Sequence, residues 1–176
     1  MELQTERLLL REYTMDDFAA VHSFASDVRI ADFVDWGPNT TGETQEFLEM
    51  CVGAQRGASR TNFTLAVTFP GGYPFGSVGL AVDQGRGELG YVIDADHWGR
   101  GYATEAAASL LRFGKETLRL RDVTATCRPP LRRGCWKRWV WSRSDCGGRT
   151  KSFVGIGGIL SSFQRSTPPG NARDGG

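Results

Sequence analysis

The sequence has few of the residues that mark secreted, metal-binding or membrane proteins. Its 176 residues include four cysteines and two histidines. No two cysteines form a C-x-x-C pair, so neither a zinc site nor a disulfide framework is indicated. No apolar run approaches the roughly 18 residues of a membrane span, and the first residues lack the basic and apolar regions of a secretion signal. These absences predict a cytoplasmic protein with no metal and no membrane partner.

The chain as a whole has almost no net charge, but each of its two parts carries an excess of one sign. The formal net charge is +1, which gives no electrostatic reason to expect a nucleic-acid partner. Residues 1–127 carry eleven Lys and Arg against eighteen Asp and Glu, whereas residues 128–176 carry ten against two. The second part also holds nine glycines and three of the five tryptophans. This break predicts a folded core at 1–127 and a basic, Gly-rich segment at 128–176.

The core carries alternating helix and strand patterns, which predict a mixed α/β layer fold. Thr14 with Asp17, and Thr40 with Glu43, fit helix capping signals in front of two stretches with apolar residues at helical spacing. The strongest helix pattern covers residues 104–118. Strand patterns cover residues 5–11, 63–67, 76–82, 88–93 and 123–127. The predicted order is β-α-α-β-β-β-α-β.

The segment with the clearest chemical content joins the strand at 88–93 to the long helix. It contains WGRGYATE at 98–105, with Gly99 and Gly101 on either side of Arg100. Glycines let a ligand approach the backbone closely, and the unpaired N–H groups of a helix's first turn favour phosphate. The segment lacks the Walker A lysine and the third glycine of the Rossmann fingerprint. Its spacing alone leaves open a tight turn that binds nothing.

Two segments together resemble the GNAT superfamily of N-acetyltransferases, most closely its ribosomal-protein-alanine N-acetyltransferase branch. The branch opens with T-E-R-L-x-L-R and carries G-Y-x-I before W-G-x-G-Y-A-T-E-A. The chain has TERLLLR at 5–11, GYVI at 90–93 and WGRGYATEA at 98–106. Trp98 stands where the superfamily's acetyl-CoA motif has Gln or Arg. The resemblance implies the GNAT acyl-CoA N-acyltransferase fold, a mixed, mostly antiparallel sheet flanked by helices.

The resemblance also implies an activity. An acetyl group would pass from acetyl-CoA to a primary amine, either a protein N-terminus or a small-molecule amine, by direct attack in a ternary complex. No metal or redox cofactor is implied, and a homodimer is left open. The residues expected to bind acetyl-CoA are Tyr91, Val92, Ile93, Trp98, Gly99, Arg100, Gly101, Tyr102, Ala103 and Thr104.

Roles follow for these positions from the same resemblance. Residues 99–104 should bind the pyrophosphate through backbone N–H groups, and residues 91–93 should hold the pantetheine arm as an added strand. Glu88, at the head of that strand, is the candidate catalytic base, and a solvated carboxylate at a strand end is the alternative. Phe33 and Trp36 are candidate substrate-binding residues for the acceptor, with a role in the core as the alternative.

Residues 128–176 depart from the family, which continues here with N-x-x-S-x-R-V-L-E-K-x-G-[FM]. The genetic code offers a test, in which each codon's third base is read with the first two bases of the next codon. This shifted frame forces leucine across codons 135 and 136, glutamate across 136 and 137 and glycine across 139 and 140. Over codons 131–141 it permits S-A-R-V-L-E-K-x-G-M. A single insertion or deletion near codons 128–131 would therefore explain the altered segment.

Three functional alternatives remain at this point. The first is an active N-acetyltransferase. The second is a remnant that binds acetyl-CoA but is catalytically impaired, because the altered segment replaces the distal half of the active site. The third is a nucleic-acid-binding protein that acts through the basic residues and tryptophans of 128–176. The frameshift hypothesis weakens the third alternative, since it makes the basic charge an accident.

We expect the DNA sequence to settle the origin of the altered segment. Resequencing the gene should show codons that spell the family's S-A-R-V-L-E-K-x-G-M pattern in the shifted frame. Codons at 131–141 that encode other residues in that frame would show the frameshift hypothesis to be wrong.

Overall fold

A computed structural model describes residues 1–34, 36–57 and 59–125. The strands are Glu2–Gln4 (β1), Leu9–Arg11 (β2), Asn62–Thr68 (β3), Gly76–Asp83 (β4), Arg86–Ile93 (β5) and Asp122–Ala125 (β6). The α-helices are Phe18–Ala25 (α1), Val28–Ala31 (α2), Thr41–Ala54 (α3) and Tyr102–Glu116 (α4). Two 3₁₀ helices cover Met15–Asp17 and Ala95–His97. The predicted segment 128–176 and the end of the predicted strand 123–127 lie outside the described residues.

The strands form one six-stranded sheet in the order β1-β2-β3-β4-β5-β6. All neighbouring pairs are antiparallel except β5 and β6, which are parallel. A parallel pair needs a crossover connection, and α4 supplies it. The predicted mixed, mostly antiparallel α/β architecture is confirmed.

Two boundaries differ from the prediction. The predicted strand at 5–11 is interrupted, because the Thr5 N–H donates to the Leu8 carbonyl (2.9 Å) and closes a turn. Residues before that turn pair back on β2 as the unpredicted strand β1. The long helix begins at Tyr102 instead of 104, because Gly101 takes a left-handed φ of +80° and turns the chain directly into the helix.

The helices cover the two faces of the sheet separately. Ala106 and Leu110 of α4 are buried in one cluster with Leu89 of β5. α1 and α3 bury their apolar residues against the opposite face, in a cluster that includes Val92. Because side chains alternate along a strand, Glu88 shares the α1/α3 face with Val92.

The entry into α1 is fixed by a partly buried ion pair. Arg11 of β2 donates two hydrogen bonds to the Asp17 carboxylate (2.8 and 2.7 Å), and the Thr14 N–H donates a third (2.9 Å). Burial would raise the pKa of Asp17, but the hydrogen bonds from Arg11 and Thr14 outweigh it and lower the pKa. The predicted capping signal at Thr14 is therefore confirmed, and so is the one at Thr40, whose N–H donates to Glu43 (2.7 Å).

Gly76 is a position in the sheet with no room for a methyl group. A β-carbon there would lie 2.5 Å from the Val92 carbonyl oxygen and 3.1 Å from the Ile93 Cα, both backbone atoms of β5. We expect Gly76→Ala to lower the free energy of unfolding by about 1–3 kcal/mol, measured by urea denaturation. Gly53→Ala is the control, because a β-carbon there meets nothing within 4 Å. Equal effects of the two variants would contradict the close approach of β4 and β5 at Gly76.

Candidate functional site

The site is built where β5 ends and α4 begins. After Ile93 the chain forms the 3₁₀ helix Ala95–His97, which Asp94 caps by accepting from the Asp96 N–H (3.1 Å). Trp98 then turns back, and its Nε1 donates to the Ile93 carbonyl (2.7 Å). This bond ties the base of the loop to the end of the strand. Trp98, predicted as a cofactor-binding residue, thus has a role in shaping the loop.

The two glycines of the loop keep its backbone open. Gly99 and Gly101 have φ values of +76° and +80°, a region that strains residues with a β-carbon. A β-carbon at Gly99 would meet no atom within 4 Å, and one at Gly101 would meet Nη2 of Arg7 at 3.5 Å. The loop therefore offers its main chain to a ligand without side-chain obstruction.

The first turn of α4 adds a set of backbone donors. Gly101 is the N-cap residue and has no side chain that could satisfy them. The Glu105 N–H is bonded back to the Gly101 carbonyl (3.1 Å). The N–H groups of Tyr102, Ala103 and Thr104 precede it, at the positive end of the helix dipole. This arrangement suits a phosphate or pyrophosphate group.

Two residues from the start of the chain hold this helix terminus. Thr5 Oγ1 donates to Glu105 Oε1 (2.6 Å), and Arg7 donates from its backbone N–H to Oε1 (2.8 Å) and from Nε to Oε2 (2.7 Å). Arg7 Nη1 also donates to the Arg100 carbonyl (3.1 Å). Its guanidinium lies 4.8 Å from the centroid of the Tyr102 ring.

Neither Thr5 nor Arg7 is among the predicted site residues, and Glu105 is not either. The signal that would have found them is the joint presence of TER at 5–7 and of an acidic residue in the first turn of the long helix. An acidic residue placed beside an expected phosphate calls for a basic partner.

The contacts with Thr5 and Arg7 favour the ionised form of Glu105. Partial burial would raise its pKa, but the hydrogen bonds from Thr5 and Arg7 outweigh burial and hold the pKa below its ordinary value. Arg7 balances the resulting charge. Without that partner, a carboxylate in the first turn would repel an anion bound at the same helix terminus.

The backbone N–H and carbonyl groups of the three predicted pantetheine-binding residues do not all point to the same side of β5. The Asp94 N–H donates to the Phe75 carbonyl (2.8 Å), and bonded residues alternate along an antiparallel ladder. Val92 therefore directs its polar backbone groups toward β4, where it pairs with Ser77. Val92 belongs to the β4–β5 ladder and its side chain is buried in the core, while its role in cofactor binding stays a prediction.

Tyr91 and Ile93 direct their backbone groups to the other side of β5, the side that carries β6. The register between β5 and β6 runs to the pair Leu89 and Ala125, the last residue that the structure describes. Both Tyr91 and Ile93 therefore lie beyond the last described pair. The Ile93 carbonyl also accepts the bond from Trp98 Nε1, and the strand-like contact of Tyr91 and Ile93 to an extended ligand stays a prediction.

Glu88 lies inside the sheet. β5 begins at Arg86, and Glu88 pairs with Ala81 of β4 and Thr124 of β6. Its side chain is half-buried. The expectation that Glu88 heads the strand is wrong, because the strand starts two residues earlier. The alternative is wrong about the strand end for the same reason, and its solvated carboxylate stays a prediction, since the Glu88 side chain is only partly buried.

The two predicted acceptor residues occupy different surroundings. Phe33 packs edge-on against Trp98, with 5.2 Å between ring centroids, and so borders the glycine loop. Trp36 lines a cavity of about 330 Å³ between α1 and α3, together with Phe24 and Phe47. Within the described residues its Nε1 is buried without a hydrogen-bond partner.

The acidic residues near the loop are engaged in structural contacts. Arg29 of α2 pairs with Asp27 (2.5 Å) and with Asp96 (2.8 Å), which fastens α2 to the 3₁₀ helix before the loop. Across the part of the chain that the structure describes, no group of three or more His, Cys, Asp or Glu side chains is arranged to hold a metal ion. In that same part, no helix has the length and apolar character needed to cross a bilayer.

Comparison with known proteins places this arrangement among the acetyltransferases. Residues 7–130 match the family profile described as an acetyltransferase (GNAT) domain. The match covers more than half of the chain, and the chain therefore belongs to the GNAT acetyltransferase family. By this membership it is an acetyl-CoA-dependent acyltransferase.

Individual proteins agree with the family assignment. The chain is 28% identical to the uncharacterized N-acetyltransferase YnaD of Bacillus subtilis over 131 residues, which are 73% of this chain and 74% of that protein. A GNAT-family acetyltransferase from Bacillus anthracis shares 29% identity and a TM-score of 0.64, over 73% of this chain and 75% of that one.

A third similar protein has been solved with coenzyme A. It is RimL, a ribosomal L7/L12 alpha-N-protein acetyltransferase, with 17% identity and a TM-score of 0.63 over 74% of this chain and 76% of that one. At this identity the likeness concerns the fold alone. The predicted family and fold are confirmed.

Proposed function

We propose that the protein transfers an acetyl group from acetyl-CoA to a primary amine in the cytoplasm, and that the amine is a protein N-terminus or a small molecule. One observation carries the proposal. In a chain of the GNAT family, α4 starts at a glycine N-cap with open backbone beside it, and its nearest carboxylate, Glu105, is turned toward Thr5 and Arg7. This terminus is prepared for an anionic ligand.

The donor is held by two parts of the site. The backbone N–H groups of residues 99–104 bind the pyrophosphate, and Tyr91 and Ile93 face the pantetheine arm from the end of β5. Acetyl-CoA supplies the thioester whose acyl carbon the amine attacks. The RimL structure with coenzyme A supports this assignment at the level of the fold.

Glu88 is the proposed base. A primary amine is nucleophilic only when neutral, so its proton must pass to a carboxylate or to a water held by one. The half-buried position of Glu88, third residue of β5 and on the face opposite α4, supports this role over that of a fully solvated carboxylate. Backbone N–H groups of β5 would stabilise the charge that develops on the acyl oxygen.

The acceptor enters, in this proposal, past the segment between α2 and α3. Phe33 forms one wall beside Trp98, and Trp36 lines the separate cavity between α1 and α3. These two residues would select the acceptor, since loops on a rigid scaffold commonly carry specificity.

A second candidate function is favoured by the break in composition at residue 127. The basic segment that follows lacks the family's expected sequence. The protein would then bind acetyl-CoA without efficient transfer. Binding and turnover must therefore be measured separately.

Donor binding is the first test. We expect calorimetric titration of the full chain with acetyl-CoA to give a dissociation constant on the order of micromolar. Gly101→Glu should weaken binding by about 100-fold or more, because its side chain blocks the loop and places a negative charge at the phosphate position. Gly53→Glu, with the same charge change on α3, is the control. A folded wild-type chain that binds no acetyl-CoA would contradict the proposed function.

The rate of acetyl transfer tests the role of Glu88 as the base. We expect Glu88→Gln to lower kcat/KM by about 100-fold or more, with the acetyl-CoA dissociation constant unchanged. Thiol release would be followed with peptides that have free N-termini and with small primary amines. Glu116→Gln, at the exposed end of α4, is the matched control. Full activity of Glu88→Gln would exclude Glu88 as the base, and binding without turnover by the wild type on every acceptor would favour the second candidate.

A further inference from the structure

We propose that Arg7 is a positioning residue for the donor: it sets the direction of the backbone N–H groups that receive the pyrophosphate, acting through Glu105 and the Arg100 carbonyl. This inference rests on the proposed acetyl-CoA function. Arg7 lies 93 residues before Arg100 and 98 before Glu105. A tertiary contact therefore contributes to the shape of the loop, beside the local contributions of its glycines and of Trp98.

The first part of the argument concerns one peptide plane. Arg7 Nη1 fixes the Arg100 carbonyl with a bond of 3.1 Å. In a trans peptide the carbonyl and the following N–H point in opposite directions. Fixing the Arg100 carbonyl toward Arg7 therefore directs the Gly101 N–H away from it. Together with the left-handed φ of Gly101, this bond sets where that donor points.

The second part concerns the carboxylate of Glu105. Both of its oxygens accept bonds from Thr5 and Arg7, and the ion pair from Nη2 to Oε2 is 2.7 Å long. The side chain is thus held away from the N–H groups of its own first turn. α3 shows the contrasting solution, since Thr40 and Glu43 cap each other at its start. α4 keeps its terminal donors for a ligand.

The third part concerns rigidity. Thr5 Oγ1 accepts from the Leu8 N–H (2.9 Å), which holds the turn that carries Arg7. The guanidinium lies over the Tyr102 ring. Tyr102 in turn makes edge contacts with Phe69 and Phe75, at 5.4 Å between centroids in both cases. We call the contacts of Arg7 with Glu105 and with the Arg100 carbonyl the brace. The brace therefore packs on an aromatic cluster, and the guanidinium has a defined position before any ligand arrives.

The test compares Arg7→Gln with Arg86→Gln in the full chain. Arg86 is 71% exposed and lies at the opposite end of β5, 3.9 Å from its partner Asp122, so its variant changes the charge by the same amount away from the loop. Amide hydrogen exchange in the ligand-free protein reports the brace directly. Arg7→Gln should speed exchange at Glu105 and Ala106 by about five- to tenfold, and leave Leu110 and Leu111 unchanged.

A purely structural role of Arg7 would speed exchange along the whole helix. Either that pattern, or exchange at Glu105 and Ala106 that matches the wild type, would overturn the proposal. The Arg86→Gln variant should show wild-type exchange at all four amides.

Affinity provides the second readout. We expect Arg7→Gln to weaken acetyl-CoA binding by about tenfold at a temperature where every variant is folded. Arg7→Lys should lie between it and the wild type, because a lysine restores the charge but cannot bind Glu105 and the Arg100 carbonyl together. Wild-type affinity in Arg7→Gln would overturn the positioning role. If the wild type itself binds no acetyl-CoA, the proposed function fails, and hydrogen exchange alone decides on the brace.

Discussion

The candidate site depends on the N-terminus of α4, whose first N–H groups are uncapped and yet held in place. A helix normally satisfies its first N–H groups with side chains or water. α4 begins instead at Gly101, and its first-turn donors remain available for a ligand. Order is supplied from outside the helix, by Thr5 and Arg7 on Glu105 and by Trp98 on the end of β5. Removing any of these contacts would let the terminus fray or acquire a cap of its own.

The packing of α4 on the sheet fixes the position of its N-terminus. α4 buries Ala106 and Leu110 against strands β4 and β5, which fixes the helix relative to the end of β5. Gly76 permits β4 to approach β5 so closely that a β-carbon would touch the Val92 carbonyl. The loop between β5 and α4 therefore spans two elements whose separation is already set by the core. Its conformation is determined at both ends, and only the glycines between them have left-handed φ values.

Local signals predict the parts of the site that lie in one continuous segment. The glycines, the start of the helix and the strand before it follow from the order of residues 88–118, because each depends on neighbours in sequence. The brace from Arg7 does not, since its partners are more than ninety residues away. The sequence also does not predict that β5 begins two residues before Glu88, so that Glu88 lies inside the strand. Arg86 and Gly87 carry no strand pattern of their own and are paired only because β4 and β6 flank them.

The contacts that hold the loop between β5 and α4 all come from one part of the chain. Thr5, Arg7, Ile93 and Trp98 all lie within residues 1–125, and so do the aromatic residues beneath Tyr102. None of these contacts requires a residue from 128–176. The contacts that order this helix terminus therefore do not depend on the origin of that segment. Under the proposed function, a loss of turnover would therefore not by itself argue against a formed donor site.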